Sequence, residues 1–409
     1  MKKTYIVKTA TFIVILLLLT ATLSALDFDV ALNAQGGLGN SDLEEIGFDY
    51  KIGIVPRLFI LIDDNSELVV TAGLTIDNEN GFVPELLHTE YTRRFGNSSL
   101  RLGRFSYSDP LSFIFSGLFD GAQFFNVSPL GIFSAGAWYT GLIYKNTTII
   151  EMTKDERVNN SNPLDYNSFT DTYFAPRRLA LSVGWEHPSL WEFTRLNTAL
   201  IAQFDLNGNN DDSYNSQYLI LKASIPFNNF TFELGGSIES VIRKTNGITE
   251  PLRLAFAGEA GVLMLFPGEF NSALSLNMKI AGGRVDDICD AFVPITTKYY
   301  GYILKHKMSG LSVLSLNYSN RLNRDLGMSL NAMYFVRNDL GTFDGYPLIS
   351  GNNSSGHFLG AEFSGRLIWS PVSDIQLNLS CGVFIPALGN AEPEQKVKWN
   401  VDLSAVFAF

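Results

Sequence analysis

Charged side chains fall on the polar positions of segments whose other positions are apolar. They are Lys51, Glu90, Arg94, Arg101, Lys222, Glu233, Glu239, Arg253, Glu259, Lys279, Arg321, Arg337, Glu362 and Arg366, with Asp49, Asp205 and Asp402 on similar positions. Around Lys279, for example, Leu274, Leu276, Met278 and Ile280 alternate with Ser275 and Asn277. Side chains spaced in this way can pair with each other across neighbouring strands, or line a wet wall and sort ions by charge. Covalent chemistry is not implied. None of His88, His187, His306 and His357 stands in a nucleophile motif, and the two cysteines show no metal-type spacing. The run from Asp205 to Asp212 gathers oxygens but lacks the later bidentate Glu of a calcium loop, so it reads as a solvated Asn/Asp turn. No catalytic residue, metal or cofactor is expected, and no bond between Cys289 and Cys381.

The elements that carry these charges have period two. Ile375, Leu377, Leu379, Cys381 and Val383 alternate with Gln376, Asn378, Ser380 and Gly382. In Met328–Arg337 the alternation holds, although Met333 and Phe335 interrupt its polar face. Such alternation over eight to ten residues predicts a strand with one apolar and one polar face. Eighteen segments fit, with sixteen as the alternative count: 26–36, 45–62, 66–77, 85–95, 99–106, 118–127, 130–145, 175–187, 194–206, 216–226, 229–243, 251–266, 272–282, 310–321, 326–338, 357–370, 374–386 and 397–409.

Composition narrows the setting. Of 409 residues 46% are hydrophobic, 13% aromatic and only 17% charged, which excludes a disordered chain. The net charge of −11 argues against a nucleic-acid partner. Lys2, Lys3 and Lys8, the apolar run Phe12–Leu19 and small residues at Ala21–Ala25 predict a cleavable export signal over 1–25. After residue 25 no apolar run is long enough for a membrane-spanning helix, so any further insertion is by strands. Residues 26–409 are then one domain, an all-β, antiparallel up-and-down transmembrane barrel in the outer membrane.

The connections fit that expectation. Shorter links at 63–65, 96–98, 128–129, 188–193, 227–228, 267–271, 322–325 and 371–373 alternate with longer ones. The longer links are 37–44, 78–84, 107–117, 146–174, 207–215, 244–250, 283–309, 339–356 and 387–396. Short periplasmic turns and long outer loops are the asymmetry of a bacterial barrel. Tyr107, Trp138, Tyr139, Trp185, Trp191, Trp369 and Trp399 lie near strand ends and suit interfacial girdles. The last strand ends in Phe409, which resembles the C-terminal signal read by the barrel-assembly machinery. Outer-membrane lipid and that machinery are the expected partners.

The inward charges are mixed in sign. A basic ladder that survived pairing would favour anionic solutes. One link, 107–117, is apolar for an exposed loop, with Leu111, Phe113, Ile114 and Phe115 following Asp109. Folded inward it would form a constriction, over the mouth a lid, and in lipid an extension of its two strands. The link 146–174 is rich in Asn, Asp and Thr and reads as solvated.

Arg101-Leu-Gly-Arg-Phe105, a loop, and then Phe119-Asp-Gly-Ala122 resemble the Gly-Arg and Phe-Asp-Gly strands of porin-like channels. The match is most similar to the 18-stranded alginate-export type. That resemblance implies a channel whose basic lumen passes an anionic polysaccharide, and it marks Arg101, Arg104 and Asp120. The residues alone lead to a channel for small hydrophilic solutes; a saccharide or anionic solute is what the resemblance implies. The rival is a surface-exposed structural or adhesin barrel that uses its long outer loops.

The face assignment has a point test. Lys279→Cys is expected to react with a water-soluble thiol reagent in the membrane-inserted protein and Leu276→Cys to be shielded. Equal labelling of the two would contradict it.

Overall fold

The computed structural model describes residues 26–409 apart from 41–45, 79, 148–149, 153–155, 158–159, 208–211, 246, 269–270, 285–288, 340–355 and 392–395. The expected export signal, 1–25, lies outside the described residues.

Eighteen strands form the wall. They are β1 (Leu26–Gly39), β2 (Gly47–Asp63), β3 (Ser66–Asp77), β4 (Gly81–Phe95), β5 (Ser98–Ser108), β6 (Ser116–Ser128), β7 (Gly131–Tyr139), β8 (Arg178–Leu190) and β9 (Thr194–Asp205). They continue as β10 (Ser213–Phe227), β11 (Phe230–Thr245), β12 (Arg253–Phe266), β13 (Ser272–Ala281), β14 (Leu311–Arg321), β15 (Leu326–Arg337), β16 (Phe358–Val372), β17 (Ile375–Ile385) and β18 (Lys398–Ala408). Each pairs antiparallel with the next. The sheet closes where β18 pairs with β1, from Ala31 opposite Ala408 to Gly39 opposite Asn400. Phe409 extends that seam by exchanging main-chain hydrogen bonds with Val30, at 2.8 and 3.1 Å.

The alternation explains closure. In β2, Phe48, Tyr50, Ile52 and Ile54 are all exposed while Gly53 between them is buried. The same pattern exposes Leu219 and Leu221 of β10 and Leu314 and Leu316 of β14. Apolar side chains displayed around the outside of a barrel suit lipid, and a sheet in lipid can leave no edge unpaired.

The structure departs from the sequence expectations at four places. The link 78–84 shrinks to 78–80, because Asp77 accepts the Asn80 amide at 2.5 Å and Gly81 takes φ +68°, which makes a tight turn. This link is as short as some at the opposite end, so loop length alternates less regularly than expected. β7 ends at Tyr139, short of 145. There Thr140 Oγ1 donates to the Pro176 carbonyl at 2.5 Å and accepts the Arg178 amide at 2.9 Å, turning the chain. Trp138 is not a girdle residue. It is 1% exposed on the inner face, with Tyr107 tilted against it at 4.6 Å between ring centroids.

The fourth departure is the inner face itself. It is not uniformly polar. In the half nearer the long loops Phe105, Phe119, Trp138, Ile201, Ile220, Val313 and Phe335 point inward and are buried. They pack against Leu111, Phe113, Ile114, Phe115, Ile143, Ile150, Phe292, Ile295 and Ile303, all from loops. The barrel therefore has an apolar core of its own, made by loops folded into it.

Candidate functional site

The inward fold starts at the β5–β6 hairpin. β5 is paired with β4 only up to Arg104, opposite Thr89, and β6 with β7 only from Asp120, opposite Tyr139. Beyond those two residues the hairpin pairs with itself alone. Its tip, 109–115, is organised by one carboxylate. Asp109 Oδ1 accepts the amides of Leu111 and Ser112 at 2.8 and 2.9 Å, and Oδ2 those of Ile114 and Phe115 at 3.0 and 2.8 Å. Burial pushes the Asp109 carboxyl above its usual range, and these donors oppose that shift. Leu111 lies against Gly235 of β11, where a Cβ would come within 2.4 Å of its Cδ2. Lys279 sits over the Phe113 ring at 4.8 Å.

A second loop, 282–310, docks on the first. The Ile114 carbonyl accepts the amides of Ile295 and Thr296 at 2.8 and 3.1 Å. Wall carboxylates hold this loop. Glu239 accepts the Val293 amide at 2.8 Å together with the hydroxyls of Tyr214 and Tyr218 at 2.7 and 3.0 Å. Glu362 accepts the amides of Tyr302, Ile303 and Leu304 at 2.5, 3.0 and 3.0 Å.

The third loop, 140–177, joins them. Ile150 bridges to Thr296, and the Glu151 amide donates to the Ile295 carbonyl at 3.0 Å. Arg178, wholly buried, ties the loop to the wall through Glu156 at 2.6 Å and Asp205 at 2.8 Å. The described part of this loop is therefore not simply solvated. The carboxylate of Asp205 is engaged by arginine, and residues 208–211 of the Asn/Asp turn lie outside the described residues. Arg178 had no distinguishing signal in the sequence, because it opens its strand rather than standing in an alternating run.

Most sequence-selected charges are engaged. Arg101 meets Glu90 through two nitrogens at 2.5 and 2.8 Å, with His88 at 3.1 Å from the same carboxylate. Arg94 meets Glu67 at 3.1 Å. Lys222 lies 2.8 Å from Glu259 and 3.3 Å from Glu233, and Lys279 also bonds Glu259. Arg337 donates to the Gly356 carbonyl at 2.7 Å, and Arg321 to the Arg324 carbonyl at 2.7 Å. Arg253 opens β12 opposite Val241 of β11. Arg104 and Asp120 form a two-point pair at 2.8 Å on the strand face opposite to that of Arg101. Lys51 and Arg366 differ: neither makes an ion pair among the described residues.

Those two lysine and arginine side chains border the open space. An outer cavity of about 720 Å³ is lined by Lys51, Asp49, Thr75 and Lys145. A second, about 450 Å³, lies deeper along β15–β18 among Ser329, Asn331, Ser364, Arg366, Asn378, Ser380 and Ser404. The two share Gln35, Tyr302 and Asp402. At this neck the Tyr302 hydroxyl bonds Asp402, which also accepts Asn400 Nδ2 at 3.0 Å. Two glycines make the neck fit. A Cβ on Gly382 would come within 2.6 Å of the Tyr302 ring, and one on Gly37 would overlap the Asp402 carboxylate. A third cavity, about 370 Å³ across the barrel, ends against Tyr107, Ser108 and Pro110 below the first loop. The sequence offered Asp402 as an inward acid but gave no sign of Tyr302, which is loop residue without a period.

Asp109→Ala would leave four amides without an acceptor in a dry site, at roughly 1–3 kcal/mol each. The expected outcome is a folded barrel whose 109–115 loop is released, read as larger and noisier single-channel current. Unchanged current in a stable variant would show that the carboxylate does not hold the loop.

No protein-family model matches the chain, and no curated protein is similar to it. Solved structures are similar in fold. The Pseudomonas aeruginosa outer membrane protein OpdK superposes with a TM-score of 0.59 at 10% identity, over 95% of this chain and 99% of that one. Pseudomonas aeruginosa OccK2 (OpdF), in a complex with glucuronate, gives 0.61 at 11% identity over 95% and 98%. OccK5 (OpdH) of the same organism gives 0.58 at 11% over 94% and 98%. At these identities the likeness establishes the 18-stranded barrel architecture of such outer-membrane proteins.

Proposed function

We propose that this protein is a porin-like channel of the outer membrane for small hydrophilic solutes, with a preference for carboxylated ones. The carrying observation is the pair of cavities that meet at Gln35, Tyr302 and Asp402, with Lys51 beside the outer one and Arg366 beside the inner one. A solute with a carboxylate and several hydroxyls finds a guanidinium and a wall of serine and asparagine along β15–β18. The likeness to the OccK2 barrel crystallised with glucuronate supports the same class. Glucuronate and the acidic polysaccharide of the alginate-export type are both acid saccharides. The division of the space into two small cavities favours the small solute over the polymer, and Arg104 and Asp120 of the resembling motif pair with each other on the far strand face. The inward packing of Ile150, Phe292 and Ile295 supports a channel over an adhesin, which would project those loops.

In this reading the alternating charges line the passage and mostly cancel in pairs, and 109–115 constricts it. Residues 1–25 direct export, the exposed apolar band meets lipid, and the strand ending at Phe409 is read by the assembly machinery.

The test is the reversal potential of single channels under a salt gradient. Wild type is expected to favour anions, and Lys51→Gln with Arg366→Gln to lower the anion preference by about twofold or more. A cation-selective wild type, or a reversal potential unmoved by both substitutions, would contradict the assignment. A folded barrel that passes no current would return the adhesin reading to the front.

A further inference from the structure

Among the described residues, one flank of β4 has a long interval without a main-chain ladder. Because the β5–β6 hairpin leaves the wall at Arg104, Gly81–His88 of β4 have no strand beside them on that flank. Their alternate carbonyls are taken by side chains instead. The Tyr166 hydroxyl bonds the Phe82 carbonyl, Tyr173 donates to Pro84 at 2.6 Å, and Arg104 Nη1 donates to Leu86 at 2.8 Å. Pro84 brings no amide to this edge, as is usual where a strand has no partner. The gap is covered by a small ribbon in which Tyr144 bridges to Phe174, with Ala175 donating to Ile143 and Lys145 to Tyr173. Arg104 Nη2 fastens the ribbon through the Leu142 carbonyl at 2.8 Å.

The two sides of this seam differ in chemistry. Inside, Val83 and Tyr144 belong to the lining of the 720 Å³ outer cavity, beside Lys51 and Lys145. Between, Tyr144, Tyr173, Phe169 and Phe174 pack at 4.4–6.1 Å between ring centroids, edge-on at Phe174. Outside, Phe82, Leu86, Leu142 and Tyr166 are exposed, and Leu86 shares the apolar outer face of β4. A ladder of main-chain bonds yields only with the fold. Four side-chain bonds, the fourth from the Thr147 hydroxyl to the Glu85 carboxylate, over an aromatic cluster can part by rotamer changes alone.

We infer that this seam is a lateral port, through which single-chain amphiphiles pass between the outer leaflet and the outer cavity. The polar head would lie by Lys51 and the chain against Val83, Tyr144 and Tyr173. This goes beyond axial diffusion of hydrophilic solutes and does not depend on it.

The experiment uses the full-length protein in phospholipid vesicles, with Cys289→Ser and Cys381→Ser removing the native thiols. Dodecyl maleimide dissolved in the bilayer is the probe, and heat-modifiability confirms that each variant is folded. Val83→Cys lies behind the seam, and Asn197→Cys lines the inner face behind an intact ladder. The expected result is labelling of Val83→Cys at least tenfold faster than of Asn197→Cys. Adding Tyr166→Phe and Tyr173→Phe, which removes two of the four donors, is expected to speed the Val83→Cys reaction severalfold further. A rate ratio near one, or a ratio that the tyrosine substitutions leave unchanged, would overturn the port. So would equally fast labelling of Val83→Cys by a membrane-impermeant maleimide, which would mean that access is axial.

Discussion

The rest of the structure depends on buried carboxylates that hold backbone amides inside the barrel. A closed wall satisfies its own main chain, but a loop folded into it does not, and each orphaned amide in a dry place is costly. Asp109 satisfies four amides within its own loop, Glu362 three and Glu239 one, the latter two reaching from the wall. These carboxylates face donors rather than open water.

Filling one side of the barrel leaves space on the other. The apolar core of Phe113, Ile114, Phe115, Trp138, Phe292 and Ile295 lies with the hairpin that leaves the wall. The open cavities run beside β15–β18, β1 and β2, where serine, asparagine and glutamine alternate with Asp49, Lys51, Arg366 and Asp402. Tyr302 stands at their junction, placed by the amide it donates to Glu362 and by the bare backbone at Gly382. Loop anchoring and the placing of the junction between the cavities are thus two consequences of which inward residues pair and which do not.

Much of the wall was legible because period two is a local property. All eighteen segments correspond to strands, most within a few residues of their observed ends. What alternation could not show is which inward residues meet a loop. Phe335 and Met333 broke the polar face of their strand, and that interruption was the visible trace of the interior core. Trp138 looked like a girdle aromatic because a large ring near a strand end suits an interface as well as a core. Arg178 and Tyr302 were not legible, since their partners Glu156, Asp205 and Glu362 lie far along the chain or on another element. Pro84 fell inside the expected link 78–84, and only the departure of the β5–β6 hairpin explains why it stands in the wall instead.

The central claim is that the inward loops confine passage to the side of the barrel that holds Gln35, Tyr302 and Asp402. The most direct measurement is block of single-channel current by a charged, water-soluble methanethiosulfonate in a background without native cysteines. Gln35→Cys at the neck is expected to lose most of its current on modification, and Asn197→Cys, in the cavity under the 109–115 loop, to keep it. Block at Asn197→Cys with none at Gln35→Cys would contradict the account, because it would place the conducting path beneath the loops rather than beside them.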